Sequence, residues 1–358
     1  MNIKDWITRF VEERLPVKAF KDLSAHKTVP EHKQDFWYYF GGISLFFFIL
    51  LVFTGMVLLF QYQPGLESSH ASVLRIVTKV DFGWLIRSIH SWAANLMLVA
   101  VIIHMFSVYF MKAYQKPREL TWFTGLGLLG LCMGLGFTGY CLVWDDMAFF
   151  ATKIGIQIME TVPGGSYVAN ILRGGPGMGG LTIQRMFALH VVIIPWIFMA
   201  LLGAHLFFLQ IHGNKIPEGI EKSGKYGRVP FFPNFILSDL YVWLIALNLL
   251  AVLAALFPWP LGGEADPLAP APKGIKPEWY FMAMFQLLKL MPAEVGPING
   301  ELFGNMLFGI AGAIWATVPI WNPATATGRR GKIAAYIGFA GIVWLISFTI
   351  WGYVAKPV

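Results

Sequence analysis

Four histidines within two apolar stretches are the residues of this 358-residue chain that are best suited to chemistry. His90 and His104 lie fourteen positions apart, and His190 and His205 lie fifteen positions apart. On an α-helix, these spacings place the second imidazole about 40° to 60° around the axis and about 21 to 22 Å further along it. Two such helices side by side would therefore present facing imidazoles at two depths. This arrangement suits two bis-histidine metal centres, and imidazole is an axial ligand of haem iron.

Two other interpretations of these histidines remain open at this point. Buried polar side chains also form plain hydrogen bonds between helices, and histidines inside a membrane can relay protons in a transporter. A haem spectrum would separate the transporter interpretation from the metal centres. The two matched pairs favour a set of ligands over isolated hydrogen bonds.

Two pairs of glycines repeat the histidine spacing. Gly41 and Gly55 lie fourteen positions apart, as do Gly125 and Gly139. Each pair falls close to one face of a helix, with about 21 Å between its members. A porphyrin between helices needs places without side chains, which glycine provides, although glycine is also common at ordinary contacts between membrane helices.

The composition identifies the elements that must position these residues. The chain is 56% hydrophobic and 13% charged, with a mean hydropathy of +0.60, which is typical of an integral membrane protein. Because a bilayer cannot satisfy exposed backbone polar groups, its spanning segments are expected to be helices. The sequence thus predicts an all-α polytopic fold with about seven transmembrane helices, at 36–60, 83–110, 121–142, 182–209, 237–257, 302–320 and 333–354.

Three regions follow from this pattern. Residues 1–35 form an amphipathic segment on the cytoplasmic side, whose first 21 residues are predicted to lie as a helix at the membrane interface. Residues 36–212 form a four-helix bundle that carries both histidine pairs, and residues 213–358 form a three-helix module. Two shorter apolar stretches, 146–159 and 279–291, lie in long connections.

The net charge of +7 reflects topology. Most of the 27 Lys and Arg residues fall in the segments that lie on one side of the membrane when the amino terminus is placed in the cytoplasm. This bias argues against a nucleic-acid partner. Cys132 and Cys141 lie on opposite faces of one predicted helix about 13 Å apart, so they cannot form a disulfide. No Cys-x-x-Cys-His motif for covalent haem attachment occurs.

Four strings together resemble the cytochrome b/b6 family, the haem-carrying subunits of quinol:cytochrome c or plastocyanin oxidoreductases. They are Arg87-Ser-Ile-His90, Phe137-Thr-Gly-Tyr140 followed by Trp144-Asp145, Arg185-Met-Phe-Ala-Leu-His190, and Pro277-Glu-Trp-Tyr280. The chain is most similar to the b6/subunit IV branch, fused into one polypeptide. The spacing of His190 and His205, the amino-terminal Asp5-Trp6 and the three helices after the fourth all point to that branch.

The resemblance implies two non-covalent b haems, each held by two histidines. The b6 branch carries a cysteine just before the paired glycines of the first helix, which tethers an additional haem. Here Tyr39 stands at that position, so no covalent haem c is expected.

The resemblance also implies a function and partners. Quinol is oxidised at the outer face, and electrons pass through both haems to a quinone at the cytoplasmic face, which contributes to proton translocation. The implied partners are a Rieske-type iron–sulfur protein, a c-type cytochrome and a second copy of the complex, in a bacterial inner membrane. The alternative is a di-haem membrane anchor for another quinone-linked dehydrogenase.

Given the predicted helix directions, His90 and His190 (the outer pair) lie near the outer face, and His104 and His205 (the inner pair) lie near the cytoplasm. The family pattern places further residues around the outer pair. Arg87 is expected to bind a haem propionate, and Arg185 is expected to lie beside the same haem, although either arginine could instead anchor its helix at the interface. Glu278 is expected to accept a quinol proton, because the Pro-Glu-Trp-Tyr string and the histidine pairs together outweigh the alternative of an ordinary interfacial loop acid. The remaining predicted quinol-site residues are Tyr280, Trp144, Phe150 and Pro277.

The cytoplasmic quinone site is less well marked. Asp239 resembles an acid found there in bc-type members of the family. His212 and Lys33 are weaker candidates, because each also suits a solvated surface.

Overall fold

The computed structural model describes residues 2–14, 27–326 and 328–355. These residues form a helical membrane protein, which confirms the predicted fold class. The helices are α1 Ile3–Arg14, α2 Tyr39–Leu59, α3 Ser69–Lys79, α4 Gly83–Phe110, α5 Glu119–Cys141, α6 Asp146–Glu160, α7 Gly165–Arg173, α8 Gly180–His212, α9 Glu218–Ser223, α10 Ile236–Leu256, α11 Trp279–Lys289, α12 Gly300–Ala316, α13 Val318–Trp321 and α14 Gly328–Val354.

Six helices in the described part of the chain are long and apolar enough to cross a membrane: Asp35–Leu59, Gly83–Phe110, Glu119–Cys141, Gly180–His212, Phe231–Leu256 and Gly331–Val354. The seventh predicted span, 302–320, forms the shorter α12 of 17 residues followed by α13. Pro319 lies in the first turn of α13, where its missing N–H is tolerated. The same proline would break a continuous helix, which explains why α12 ends before it.

Each of the two histidine helices, α4 and α8, packs against a helix that carries one of the glycine pairs. α2 packs against α4, and α5 packs against α8, while α10 packs against both α2 and α4. One buried apolar cluster fills the centre, where the ring of Phe48 stacks on that of Phe198 at 4.3 Å between ring centres. Four members of this cluster stand midway along the sequence between the paired glycines or histidines: Phe48, Met97, Cys132 and Phe198. An apolar layer thus separates the two histidine levels.

The connecting segments carry additional helices. α6 corresponds to the predicted apolar stretch 146–159, and the side chain of Asp145 caps it by accepting a hydrogen bond from the N–H of Ala148. α11 corresponds to the stretch 279–291 and begins directly after Glu278. α7, which ends before Gly174 in the left-handed conformation, was not predicted.

The amino-terminal segment differs in part from its prediction. α1 covers residues 3–14, with the apolar rings of Trp6 and Phe10 exposed. Residues 15–26, including the rest of the predicted interfacial helix, lie outside the described residues. Strand β1, Thr28–Glu31, pairs antiparallel with β2, Gly227–Pro230, so that this segment is joined to the connection that follows α8. A second small ribbon pairs β3, Glu294–Val295, with β4, Ile298–Asn299.

Candidate functional site

The two histidines of the outer pair face each other across the bundle. The ring centres of His90 on α4 and His190 on α8 lie 6.4 Å apart, with an interplanar angle of 72°. Two imidazoles bound on opposite sides of one metal ion, at about 2 Å each, hold their ring centres about 6 Å apart. The spacing of this pair therefore fits a single metal ion between the two rings.

Each of the four histidines packs against one of the four glycines of the sequence pattern. A Cβ atom built on any of these glycines would lie within 3.4 Å of an imidazole carbon, which is too close or nearly so for an ordinary contact. The distances from the built Cβ to the imidazole Cε1 are 3.2 Å for Gly41 and His104, 3.4 Å for Gly55 and His90, 3.2 Å for Gly125 and His205, and 2.6 Å for Gly139 and His190. The glycines therefore let the imidazoles of α4 and α8 lie directly against α2 and α5.

Three threonines fix the orientation of three imidazoles, which the sequence analysis missed. Each threonine directly precedes one of the glycines, and its Oγ1 lies near an imidazole Nδ1: Thr54 with His90 at 2.9 Å, Thr124 with His205 at 3.0 Å and Thr138 with His190 at 3.2 Å. Each hydroxyl donates its own proton to the carbonyl four residues earlier, at 2.8 Å in all three cases. The threonine oxygen must therefore accept from Nδ1–H, which leaves the Nε2 lone pair free to bind a metal. The repeated Thr-Gly dipeptide was the signal.

A π-helical turn explains why the second histidine pair has the longer spacing. His190 lies within the π-helical turn Leu189–Ile193, whereas α4 is α-helical between His90 and His104. A π turn accommodates one residue more than an α turn. The fifteen-residue spacing on α8 therefore reaches the depths that a fourteen-residue spacing reaches on α4.

A largely apolar cavity of about 360 Å³ extends from the outer pair. Its lining includes both histidines of that pair together with Arg87, Glu278 and Tyr280. Predicted ligands and predicted quinol-site residues from three separate parts of the chain thus share one space. A cavity of this kind suits an apolar ligand with a few polar atoms.

Glu278 lies on the inner surface of this cavity just ahead of α11. Burial is the main cause that raises the pKa of its carboxyl, and the nearby negative charge of Asp145 raises it further. The next residue, Trp279, donates from Nε1 to Oδ1 of Asn95 on α4 at 2.8 Å. Tyr280 places its hydroxyl against Gly136 of α5, where a Cβ atom would lie 2.6 Å away. Residues 278–280 are therefore fixed to α4, which carries His90, and to α5, which packs against His190.

Arg87 is bound to a loop. Its two terminal nitrogens donate to the carbonyls of Trp259 and Pro260 at 2.8 and 2.9 Å. The loop is also held by Asp145, which accepts from the N–H of Gly262 at 3.1 Å. A role of Arg87 at a haem propionate stays a prediction. Arg185 donates to the carbonyl of Ile171 at the end of α7 and is not part of the cavity lining.

The aromatic residues predicted as pocket walls lie behind the cavity. Trp144 and Phe150 are almost completely buried in a second apolar cluster, with 1% and 3% of their surface exposed. The lining includes the neighbouring Tyr140 and Val143 in their place. Pro277 is half-buried ahead of Glu278 and does not line the cavity. Whether any of these residues contacts quinol stays a prediction.

The end of the bundle near the inner pair contains a smaller, more polar pocket of about 330 Å³, whose lining includes Tyr39, Asp35 and Ser238. The ring of Tyr39 stacks on that of Phe235 at 5.3 Å. Asp239, the neighbour of Ser238, packs against Gly42, and its Oδ1 is buried with no hydrogen-bond partner among the described residues.

The two weaker candidates lie outside this pocket. His212 ends α8, and its carbonyl accepts a hydrogen bond from Arg118 at 2.8 Å. Lys33 is exposed.

Comparisons with known proteins agree with this arrangement. One family model, described as cytochrome b/b6/petB, matches residues 25–213, and a second, described as cytochrome b(C-terminal)/b6/petD, matches residues 264–358. The chain is 46% identical to the cytochrome bc complex cytochrome b subunit of Chlorobaculum thiosulfatiphilum, over 96% of this chain and 80% of the relative. It is 31% identical to cytochrome b of Rhodobacter capsulatus, over 87% of this chain and 72% of the relative.

Shorter relatives and a solved structure complete the comparison. Cytochrome b6 of Acaryochloris marina is 39% identical and matches 59% of this chain over 96% of its own length. A chain of a hyperthermophilic respiratory Complex III has the same fold, with a TM-score of 0.79 at 24% identity over 98% of this chain and 99% of that chain. With both family models matched in one polypeptide, the chain belongs to the cytochrome b/b6 family, as a fused b6/subunit IV-like member.

Proposed function

We propose that this protein is the cytochrome b subunit of a bc/b6f-type quinol:cytochrome c oxidoreductase, which it serves as the redox core. The observation that carries the proposal is the cavity shared by the outer histidine pair, Glu278 and Tyr280. A proton acceptor beside a ligand pair allows a quinol to lose its proton and its electron in one place. The relative from Chlorobaculum thiosulfatiphilum, named as a subunit of a cytochrome bc complex, supports this assignment.

His90 and His190 would hold one b haem, and His104 and His205 would hold a second. A haem bound in this way supplies one-electron transfer without an open coordination site for oxygen. The 6.4 Å ring separation of the outer pair and the glycine contacts of both pairs support this ligation. The threonine bonds hold the proton on Nδ1 of three imidazoles, which leaves the Nε2 lone pair available to the iron.

Glu278 is proposed to act as the general base of quinol oxidation. Its raised pKa brings the carboxyl closer to neutral pH, where a base is most effective. Tyr280, fixed against α5, is proposed to position the quinol hydroxyl. Oxidation of one quinol releases two protons and two electrons, of which one electron passes to the iron–sulfur partner and the other to the outer pair.

The second electron is proposed to cross to the inner pair, where two such electrons from two quinol oxidations, together with two protons, reduce one quinone to quinol near Asp239. The unpartnered Oδ1 of this acid and the polar pocket beside it support proton uptake at that end. The charge distribution supports a cytoplasmic location of this end. The proposed partners are a Rieske-type iron–sulfur protein, a c-type cytochrome and a second copy of the complex, in a bacterial inner membrane.

No covalent haem is proposed at the position of Tyr39. A thioether bond needs a cysteine thiol, and here a phenol ring stacks on Phe235. Both cysteines are buried in α5, away from this end of α2. Acid–acetone extraction followed by haem staining of a denaturing gel is expected to leave the chain unstained. A stained band at its 40.1 kDa mass would contradict the proposal.

The proposed function is tested by adding quinol to the purified, oxidised complex and following the b-haem absorbance. Rapid reduction of haem, followed by transfer of electrons to added cytochrome c, is expected. In closed vesicles, the same reaction should acidify the side opposite the amino terminus. Haem that stays oxidised in the presence of quinol would overturn the proposal.

A further inference from the structure

The four imidazoles are not held equally. His90, His190 and His205 each contact a threonine hydroxyl through Nδ1. His104 does not, and its Nδ1 is buried without a hydrogen-bond partner among the described residues. The difference originates in one residue of α2, because Phe40 precedes Gly41 where a threonine precedes each of the other three glycines.

Phe40 cannot replace the missing acceptor. Its ring packs on Phe36 and Trp37, at 5.5 and 5.7 Å between ring centres. Ser107, one turn beyond His104 on α4, donates its hydroxyl to the carbonyl of His104 at 2.8 Å and makes no hydrogen bond with Nδ1. The imidazole of His104 therefore stands against Gly41 with no acceptor in hydrogen-bonding contact with Nδ1 among the described residues.

The hydrogen bonds have a definite direction and a chemical consequence. Since each threonine proton is already donated to its own helix, the imidazole Nδ1–H is the donor in each of the three contacts. An imidazole that donates from Nδ1 is a more basic ligand through Nε2. A more basic ligand stabilises the oxidised, more positive iron. His190 has a second acceptor, the carbonyl of Leu135 at 3.1 Å.

We propose that the three threonine–imidazole hydrogen bonds determine which of the two haems has the lower midpoint potential. The inference rests on the proposed function, in which each histidine pair holds a haem. Both ligands of the outer pair donate to a threonine, whereas only one ligand of the inner pair does. The outer position is therefore the weaker electron acceptor, and one electron placed there moves inward. Thr54, Thr124 and Thr138 act as positioning residues through the imidazoles.

The test measures both midpoint potentials in the purified complex by optical redox titration. Thr54→Val or Thr138→Val is expected to raise the outer potential only, and Thr124→Val the inner potential only. Phe40→Thr adds an acceptor and is expected to lower the inner potential. Thr54→Val and Phe40→Thr are each expected to alter the equilibrium constant for reduction about three- to tenfold, the net value of one hydrogen bond, or about 30 to 60 mV for a one-electron couple. Thr124→Val and Thr138→Val are expected to have smaller effects, because a backbone acceptor remains for each imidazole, at Thr121 for His205 and at Leu135 for His190.

Two control variants separate this role from simple packing. Thr54→Ser keeps the hydroxyl and is expected to leave the outer potential at its wild-type value. Thr121→Val makes the same substitution on α5, three residues from Thr124, at a hydroxyl without a hydrogen-bond partner in the described structure, and is expected to change neither potential.

The outcomes are distinguishable. Two haems with unchanged potentials in the three threonine variants would overturn this inference and leave the proposed function intact. If a threonine variant loses its haem, Phe40→Thr decides, since an unchanged or raised inner potential would overturn the inference. A native chain with fewer than two haems would instead overturn the proposed function.

Discussion

The outer and inner ends of the bundle are built on the same histidine–glycine pattern but are completed differently. At the outer end, the loop after α10 is bound by side chains of α3, α4 and the turn before α6: His70, Arg87, Ser88, Trp92 and Asp145. Both imidazoles of the outer pair have acceptors for Nδ1. At the inner end, Nδ1 of His104 and Oδ1 of Asp239 are buried without partners among the described residues.

This difference suits the two ends to different parts of the proposed reaction. The outer end is fixed before any ligand arrives, as suits a site that must control where a proton and an electron leave a quinol. Leaving the Oδ1 of Asp239 buried without a partner costs about 1 to 3 kcal/mol, so this acid is expected where a ligand, water or proton satisfies it. The inner end is therefore suited to taking up protons.

The largest effect is expected from removing one ligand at either end. His90→Leu should remove the outer haem and His104→Leu the inner one, because one imidazole cannot supply both axial bonds. A pyridine haemochrome assay should then give half the wild-type haem content in each variant. If His104→Leu retained the full haem content, the inner pair would not be a ligand pair.

A smaller effect, confined to the outer end, is expected from Glu278→Gln. The amide keeps the shape of the side chain but cannot accept a proton, so the rate of quinol oxidation should fall about 100- to 10,000-fold. Both haems should remain. Glu264→Gln, at an exposed acid of the outer loop, is the matched control and should leave the rate unchanged. Equal rates in the two variants would exclude Glu278 as the acceptor.

The pH dependence of quinol oxidation should shift in Asp145→Asn. The active form of Glu278 is the carboxylate, so the rate falls as the pH drops through its pKa. Because the charge of Asp145 raises this pKa, its removal should let the carboxylate persist to lower pH. The acid limb of the profile should therefore move to lower pH, while Asp146→Asn serves as the control. A shift to higher pH would contradict the proposed interaction.

The smallest effect is expected from shortening the π turn of α8. Ile193 faces outward from the bundle, with 47% of its surface exposed. Its deletion leaves fourteen positions between the two histidines of α8, so an α-helical turn can replace the π turn and both haems should remain. Deletion of Val99 from α4, where no π turn lies between the histidines, should remove a haem. Haem loss in both deletions would show that the π turn does not compensate for the additional residue.

The sequence predicted the elements well because each depends on local periodicity. The apolar spans, α6 and α11 all follow from hydrophobic patterning, and the family assignment follows from four short strings. The break after α12 is also local, but the apolar run across Pro319 concealed it. Long-range contacts were less accessible. The carbonyl groups that bind Arg87 belong to a loop more than 170 positions away, and backbone acceptors leave no signature in side-chain type.

The same reason explains what was missed at the site. The threonines were visible as a repeated Thr-Gly dipeptide, but their partners are set by how α2 and α5 dock on the histidine helices. Trp144 and Phe150 were expected in the pocket wall, and their apolar surface is instead buried against α6 and α8. A π turn has no distinctive composition, so the fifteen-residue spacing alone did not predict it.

The central claim is that two histidine pairs at two depths each hold one b haem. Haem content and carbon monoxide binding of the purified complex test it most directly. The account predicts two haems per chain, both low-spin and neither binding carbon monoxide, because imidazoles occupy all four axial positions. One haem per chain, or a haem that binds carbon monoxide, would contradict it.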